Sequence, residues 1–192
     1  YDRLLDMLAE LENKYNFRLS NSPTKEVGAE ALSELQKKIH KYRLYSLNKT
    51  KTVKNLQDLA GPHQVIVSPK LDGLTICLTY QDGELIQALT RGNGYEGEDV
   101  THNARVFANL PLKIPHKGNL IVSGEAVIKL SDFDLINESL SAEEQYKNPR
   151  NLVSGSVRTL DNRKAAKRRI HFYAFALLES EYDFTLKSEQ LL

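Results

Sequence analysis

Residues 74–90 leave the chain little choice. Leu74, Ile76, Leu78 and Tyr80 alternate with Thr75, Cys77 and Thr79, the period of two of a half-buried strand. Gln81-Asp82-Gly83-Glu84 follows. Asp-Gly between two apolar runs signals a hairpin, because a tight type I′ turn needs positive φ at both central residues. The return run, Glu84 to Arg91, completes an antiparallel pair. A lone hairpin is marginal in water, so other segments must extend and cover it.

Upstream the period is helical. Tyr1, Leu4, Leu5, Leu8, Leu11 and Tyr15 share one face of a helix over residues 1–16. Ser20 to Thr24, with Pro23, breaks it. A second helix is predicted over Ala29–Tyr42, with Leu32, Leu35 and Ile39 on one side. Residues 43–62 read as a linker and a short helix closing at Ala60-Gly61-Pro62. From Val65 the texture is that of strands, with Val65-Ile66-Val67 as a core-facing lead-in. A glycine-rich loop, Gly92 to Ala104, enters a helix. Leu120–Ile128 is a strand, and a capped helix starts at Ser131. Asn148 to Asp161 reads as a polar loop of small residues, and Arg168–Ser180 contains a last apolar strand. Helices mixed with antiparallel strands make the fold class α+β.

Composition enters as a set of bounds. A chain of 192 residues, 41% hydrophobic and 27% charged, suits one globular domain with a small appendage. No apolar run approaches the roughly 20 residues of a membrane span, and residue 1 opens a charged helix, so no signal peptide is expected. The lone Cys77 has no internal disulfide partner, which fits a reducing, cytoplasmic setting. With no initiator methionine the sequence reads as an excerpt of a longer chain. At net charge +1, attraction for nucleic acid must come from local basic patches.

Five features carry candidate chemistry. Lys70-Leu71-Asp72-Gly73 sets a lysine at the mouth of the apolar strand. Flanked by core-facing segments, Lys70 would enter a partly desolvated site, where more neutral amine survives as a nucleophile. Asp72 falls on the same strand face by period two, and Gly73 permits close approach of a ligand. An average lysine beside a turn is simply exposed, so this spacing is weak by itself. Arg91 followed by Gly92, Gly94 and Gly97 suits a phosphate or ribose, against the plainer reading of turn glycines. Glu125, inside an apolar strand, needs a cation, a ribose hydroxyl or a metal, unless it faces water from an edge strand. Arg150 and Arg158 sit in the polar loop, and the run Arg163, Lys164, Lys167, Arg168, Arg169 is either a solvated helix face or a phosphate contact. Tyr173, in a buried-type strand, is ordinary core or a platform for a purine.

The order of these residues resembles a known family. "KLDGL", "TRGNGYEGEDVTHNAR", "LPLKI", "SGEAVI", "NPRNLVSGSVRTLD" and "HFYAF", preceded by "YDRLLDMLAELENKY" and "NSPTKEVG", are similar to the adenylation domain of bacterial NAD-dependent DNA ligases over nearly the whole chain. The resemblance implies a nucleotidyltransferase core (ATP-grasp-like, as in DNA ligase adenylation domains) of antiparallel sheets with helices. It implies a small helical subdomain ending near residue 50, with residues 51–192 as the adenylation domain, incomplete at its C-terminus. It implies NAD and Mg²⁺ as cofactors, nicked double-stranded DNA as partner, a cytoplasmic setting and no membrane. Lys70 would attack the AMP phosphorus of NAD, nicotinamide mononucleotide would leave, and AMP would pass to the 5′-phosphate of a nick for the 3′-hydroxyl to displace. Asp72 would assist Lys70. Ser68, Gly73, Arg91, Glu125 and Tyr173 would form the AMP site, with Glu125 on the ribose and Tyr173 on adenine. Tyr1 and Asp2 match the end of the nicotinamide-mononucleotide motif, and Arg150 and Arg158 would meet nucleotide and nick phosphates. No protein metal ligands are implied.

The sequence departs from the family pattern in several places. Ser68 stands where a glutamate is usual, Ser123 where an arginine precedes Gly-Glu, and Asn93 where an aspartate is usual. "HKYRLYSLNKT" replaces a segment near "HxxPMLSLDN". A later "DGVVIK"-like strand, the final motif lysine and the OB-fold, zinc-finger, helix-hairpin-helix and BRCT portions have no counterpart here. The alternatives are therefore a non-catalytic nucleotide- or partner-binding remnant, or half of a split ligase completed by a second polypeptide. An ATP-using nucleotidyltransferase is a lesser rival.

Overall fold

The computed structural model of the protein describes residues 2–17, 22, 34–184, 187 and 189. In chain order its elements are α1 (Asp2–Tyr15), β1 (Lys37–Ile39), α2 (Val53–Ala60), β2 (Leu74–Gln81), β3 (Glu84–Thr90) and β4 (Glu96–Glu98). Then come α3 (Thr101–Ala104), β5 (Asn119–Val127), α4 (Leu130–Glu138), α5 (Pro149–Val157), α6 (Asn162–Ala166) and β6 (His171–Glu179). Four strands form an antiparallel sheet in the order β3-β2-β5-β6, and β1 pairs with β4. This is an α+β architecture.

The hairpin is where alternation and Asp-Gly predict it. Asp82 and Gly83 have φ of 50° and 85°, as a type I′ turn requires. Leu74, Ile76, Leu78 and Tyr80 turn to one face of the sheet, beside Ala126 of β5 and Phe172 of β6. Leu152, Val153 and Val157 of α5 and Phe133 and Ile136 of α4 cover that face. Burying three such side chains stabilises the seat of α5 by about 1.5–3 kcal/mol each, against at most about 1 kcal/mol for an exposed ion pair. The core therefore fixes α5, which carries Arg150 in its first turn and Arg158 at its C-cap. Asn103 of α3 is fully buried and donates to Val157 O (2.7 Å) and Thr159 O (2.6 Å), locking the end of α5 to the sheet side.

Several expectations are corrected. Lys37–Ile39 is a strand, not part of a helix over 29–42, and residues 29–33 of that helix lie outside the described residues. Its partner β4 lies about sixty residues on, which no local period can reveal. Segment 37–44 thus reaches past residue 50 in sequence to join the main body, with His40 N bonded to Tyr95 O and Leu44 N to Gly94 O. Val65, Ile66 and Val67 are 62%, 51% and 92% exposed and pair with no strand, so the lead-in does not face the core. A three-residue apolar run has no period to specify a face. Asn148 to Val157 is no loop. Asn148 caps α5 by accepting from Asn151 N (2.9 Å), with Pro149 at the first helical position. Helix α4 begins at Leu130, and Ser131 is not its cap, since Lys129 holds that place without a side-chain bond. Leu4, Met7, Leu11 and Tyr15 on α1 are exposed.

At the β1–α3 junction Asp99 accepts from Lys38 Nζ (2.7 Å), Thr101 N (3.0 Å) and the Thr101 hydroxyl (2.5 Å). Burial pushes its carboxyl up, but the bonds from Lys38 and Thr101 outweigh it and hold the group below the usual carboxylate range. Below that ordinary value of about 3.9 the unfolded chain takes up a proton before the native one does, so stability rises with pH across the window. The contribution is complete above the ordinary value and lost as pH falls through the native one. Asp99→Asn is expected to lower the melting temperature by a few degrees at pH 7. The gap from wild type should narrow as pH falls below about 3.9 in thermal melts; a gap that does not narrow with acid would count against the pairing.

Candidate functional site

The open face of the sheet carries one polar row. Thr75 of β2 lies opposite Glu125 of β5, and Glu125 lies opposite Tyr173 of β6. Arg91, one residue beyond β3, donates its N–H to Thr75 O (3.0 Å) and extends the row. Directly opposed residues share a face, so Arg91, Thr75, Glu125 and Tyr173 run side by side across four strands.

Glu125 sits on an inner strand and is buried, which removes the edge-strand reading. Its partners are neither a cation nor a metal ligand set. Oε1 accepts from Gly73 N (3.2 Å) and Oε2 from the Thr75 hydroxyl (2.8 Å). Both oxygens are thus oriented, with lone pairs left for a ligand. Thr75 is the site residue that sequence reasoning missed. Its signal was present only as a polar position in the β2 alternation, and its meaning depends on register with β5.

Beside the row lies a cavity of about 400 Å³ whose lining includes Thr75, Arg91, Arg150, Arg158, Lys37 and Glu98. Four cations against two carboxylates, Glu96 and Glu98, line it and favour an anionic ligand. Arg150 Nη1 reaches Asp72 Oδ1 at 2.6 Å, and Arg158 Nη2 reaches Glu98 Oε1 at 2.5 Å. The bond it donates to Glu98 holds the Arg158 guanidinium above its ordinary pKa. Gly97 lets the glycine loop close beneath, since a Cβ there would lie 1.7 Å from Thr90 O. His40 Nε2 contacts Arg91 O at 3.2 Å, so the ring donates to the carbonyl of the row's cation.

The remaining candidates divide. Asp72, Gly73, Arg91, Glu125, Tyr173, Arg150 and Arg158 are gathered around the row and cavity. Ser68 and Lys70 are exposed and lie before β2, so the expected desolvation of Lys70 is not found. Asp72 precedes the strand as well and is 73% exposed at its side chain, so period two does not align it with Lys70; Arg150 holds it instead. Tyr173 is 46% exposed, because β6 is the edge of the sheet and the ring stands on the open face. Asp2 lies in α1, and Tyr1 lies outside the described residues. Cys77 is no rival nucleophile, as burial pushes its thiol up to about 11.

Gly73 fixes the chain to the sheet three residues after Lys70. A Cβ there would lie 1.9 Å from Ala126 O and 2.8 Å from Val127 Cγ1. Gly73→Ala should therefore move the backbone away from Glu125 and destabilise the fold by about 3 kcal/mol. Urea unfolding measures this, and an unchanged midpoint would show that the close approach is not structural.

Relatives share this arrangement of sequence. A DNA ligase of Lachnoclostridium phytofermentans is 54% identical over 182 residues, 94% of this chain and 28% of its own length. One of Ruminiclostridium cellulolyticum is 52% identical over 182 residues, with the same shares. One of Helicobacter pylori is 43% identical over 185 residues, 90% of this chain and 28% of the relative. The chain spans a little over a quarter of the length of these relatives. The family described as NAD-dependent DNA ligase adenylation domain matches residues 32–191. That span takes in the whole polar row and the cavity beside it, and the chain belongs to this family.

Proposed function

We propose that this chain is the adenylylating part of an NAD-dependent DNA ligase, built on a nucleotidyltransferase core, with Lys70 as the nucleophile. The observation that carries the reading is the row Arg91–Thr75–Glu125–Tyr173 beside a basic cavity, with Gly73 anchored to the sheet three residues from Lys70. A cavity of about 400 Å³ is in the range of small-molecule sites. Glu125 offers oriented carboxylate oxygens to ribose hydroxyls, and the exposed Tyr173 ring offers a face to adenine. Arg91, Arg150 and Arg158 offer donors to phosphate oxygens.

In this reading the Lys70 amine, having lost a proton, forms a bond to the AMP phosphorus of NAD. The phosphorus–oxygen bond to nicotinamide mononucleotide breaks, and the electron pair leaves with that group. The resulting lysyl-AMP yields its AMP to the 5′-phosphate of a nick. Arginines that neutralise charge and orient the phosphates supply most of what a protein can add to such transfers. From its exposed position Lys70 has about 10 Å of extended chain between itself and Gly73, enough to swing toward the row.

Mg²⁺ fits only in part. Among the described residues no group of three His, Cys, Asp or Glu side chains is placed to hold a metal ion. An ion serving this site would be held largely by substrate phosphates and water, where it would neutralise phosphate charge. Nick sealing, with DNA as partner, is proposed for a longer assembly of the kind the relatives represent, whether one chain or two polypeptides.

A second reading draws on the exposure of Lys70 and Ser68, neither of which lines the cavity. It keeps nucleotide binding and drops the chemistry. One experiment separates the two: intact mass after incubation with NAD and Mg²⁺, with ATP in parallel and Lys70→Ala as control. A single AMP adduct with NAD, absent from Lys70→Ala, is the expected outcome. An adduct that survives in Lys70→Ala would remove that lysine from the mechanism, and nucleotide binding without any adduct would favour the second reading.

A further inference from the structure

We propose that residues 43–54 form a contact for the phosphate backbone of duplex DNA. Residues 37–54 hold seven Lys or Arg side chains and no Asp or Glu, in a chain whose net charge is only +1. The first three cations are paired and act as anchors. Lys37 meets Glu96 (3.8 Å), Lys38 meets Asp99 (2.7 Å) and Lys41 meets Glu179 (2.6 Å). The Lys41 pair raises the lysine and lowers the carboxyl, each through the hydrogen bond between them.

The next four cations, Arg43, Lys49, Lys51 and Lys54, are exposed and form no ion pair among the described residues. Carboxylates therefore tie down one end of the segment and leave the other as concentrated positive charge. The other basic run is paired at both ends, Arg163 with Asp161 (2.9 Å) and Arg169 with Asp132 (3.1 Å), with Lys164, Lys167 and Arg168 outside any ion pair among the described residues.

Position joins the segment to the site. Arg43 stacks on Tyr95 (4.2 Å) and on Tyr45 (4.9 Å). Tyr95 belongs to the glycine loop whose Gly92 and Asn93 line the basic cavity. Arg43, at the start of the segment, thus adjoins the loop that lines the candidate active site. The guanidinium covers one face of each ring, and both tyrosines remain exposed, Tyr45 at 73% and Tyr95 at 54%. Four cations without carboxylate partners among the described residues favour the backbone of a duplex, which carries about one charge per 1.7 Å of axis, twice the density of one strand.

The proposal depends on the function above only in taking DNA as the polyanion, and its test needs neither NAD nor Lys70. Fluorescence anisotropy would follow the full chain binding a labelled nicked duplex across a salt series, without nucleotide or Mg²⁺. The variant Lys49→Gln/Lys51→Gln/Lys54→Gln is expected to melt like wild type. Its slope of log affinity against log salt should fall in magnitude by about 2 to 3, since each phosphate neutralised contributes about 0.9. A slope unchanged in that variant overturns the proposal, as does a wild-type chain that binds only single strands or no DNA. Should Lys164→Gln/Lys167→Gln remove the slope while the first variant leaves it intact, the contact lies on the other basic run and the proposal fails. None of these results bears on adduct formation at Lys70, so the two readings fail separately.

Discussion

The Glu125 carboxylate holds this site together. It lies buried between β2 and β5, and its two oxygens take the N–H of Gly73 and the hydroxyl of Thr75. A buried carboxylate without donors would cost several kcal/mol, so those two bonds are conditions of the fold as well as features of a site. They tie the lysine-bearing segment to the middle of the sheet. They also fix the row in which Arg91 and Tyr173 stand on either side.

The helices serve the same end by a different force. Helix α5 is seated by Leu152, Val153 and Val157, all buried, and this apolar anchoring sets where its two arginines emerge. Arg150 then finds Asp72, and Arg158 finds Glu98 in the cavity wall. Those pairs are partly exposed and contribute little to stability. Their consequence is electrostatic: a carboxylate holds each arginine in place at the cavity wall.

Much of this was legible in the residues. Alternation over 74–80 and the Asp-Gly turn specify the hairpin. Asn148 and Pro149 carry a helix-start signal that reading the stretch as a polar loop passes over. A glutamate inside "LIVSGEAVI" announces that something must satisfy it. The strand at Lys37–Ile39 was hidden in a helical pattern, because its partner is remote and three residues carry too little period to compete. The exposure of Val65 to Val67 was hidden for the converse reason: apolar character says that burial is favourable, not that a surface is there to provide it.

The sequence by itself determined the secondary periods, the turn chemistry, the family and the inventory of charged groups. Each of these follows from a residue and its near neighbours. Only the tertiary structure decided which of them meet. Thr75 became a partner of Glu125 through the β2–β5 register, Tyr173 came to stand on an open face because β6 is the sheet edge, and Asp72 turned to Arg150 rather than to Lys70. Register, edge position and ion-pair choice are set by contacts between segments far apart along the chain, and local sequence carries no record of that distance.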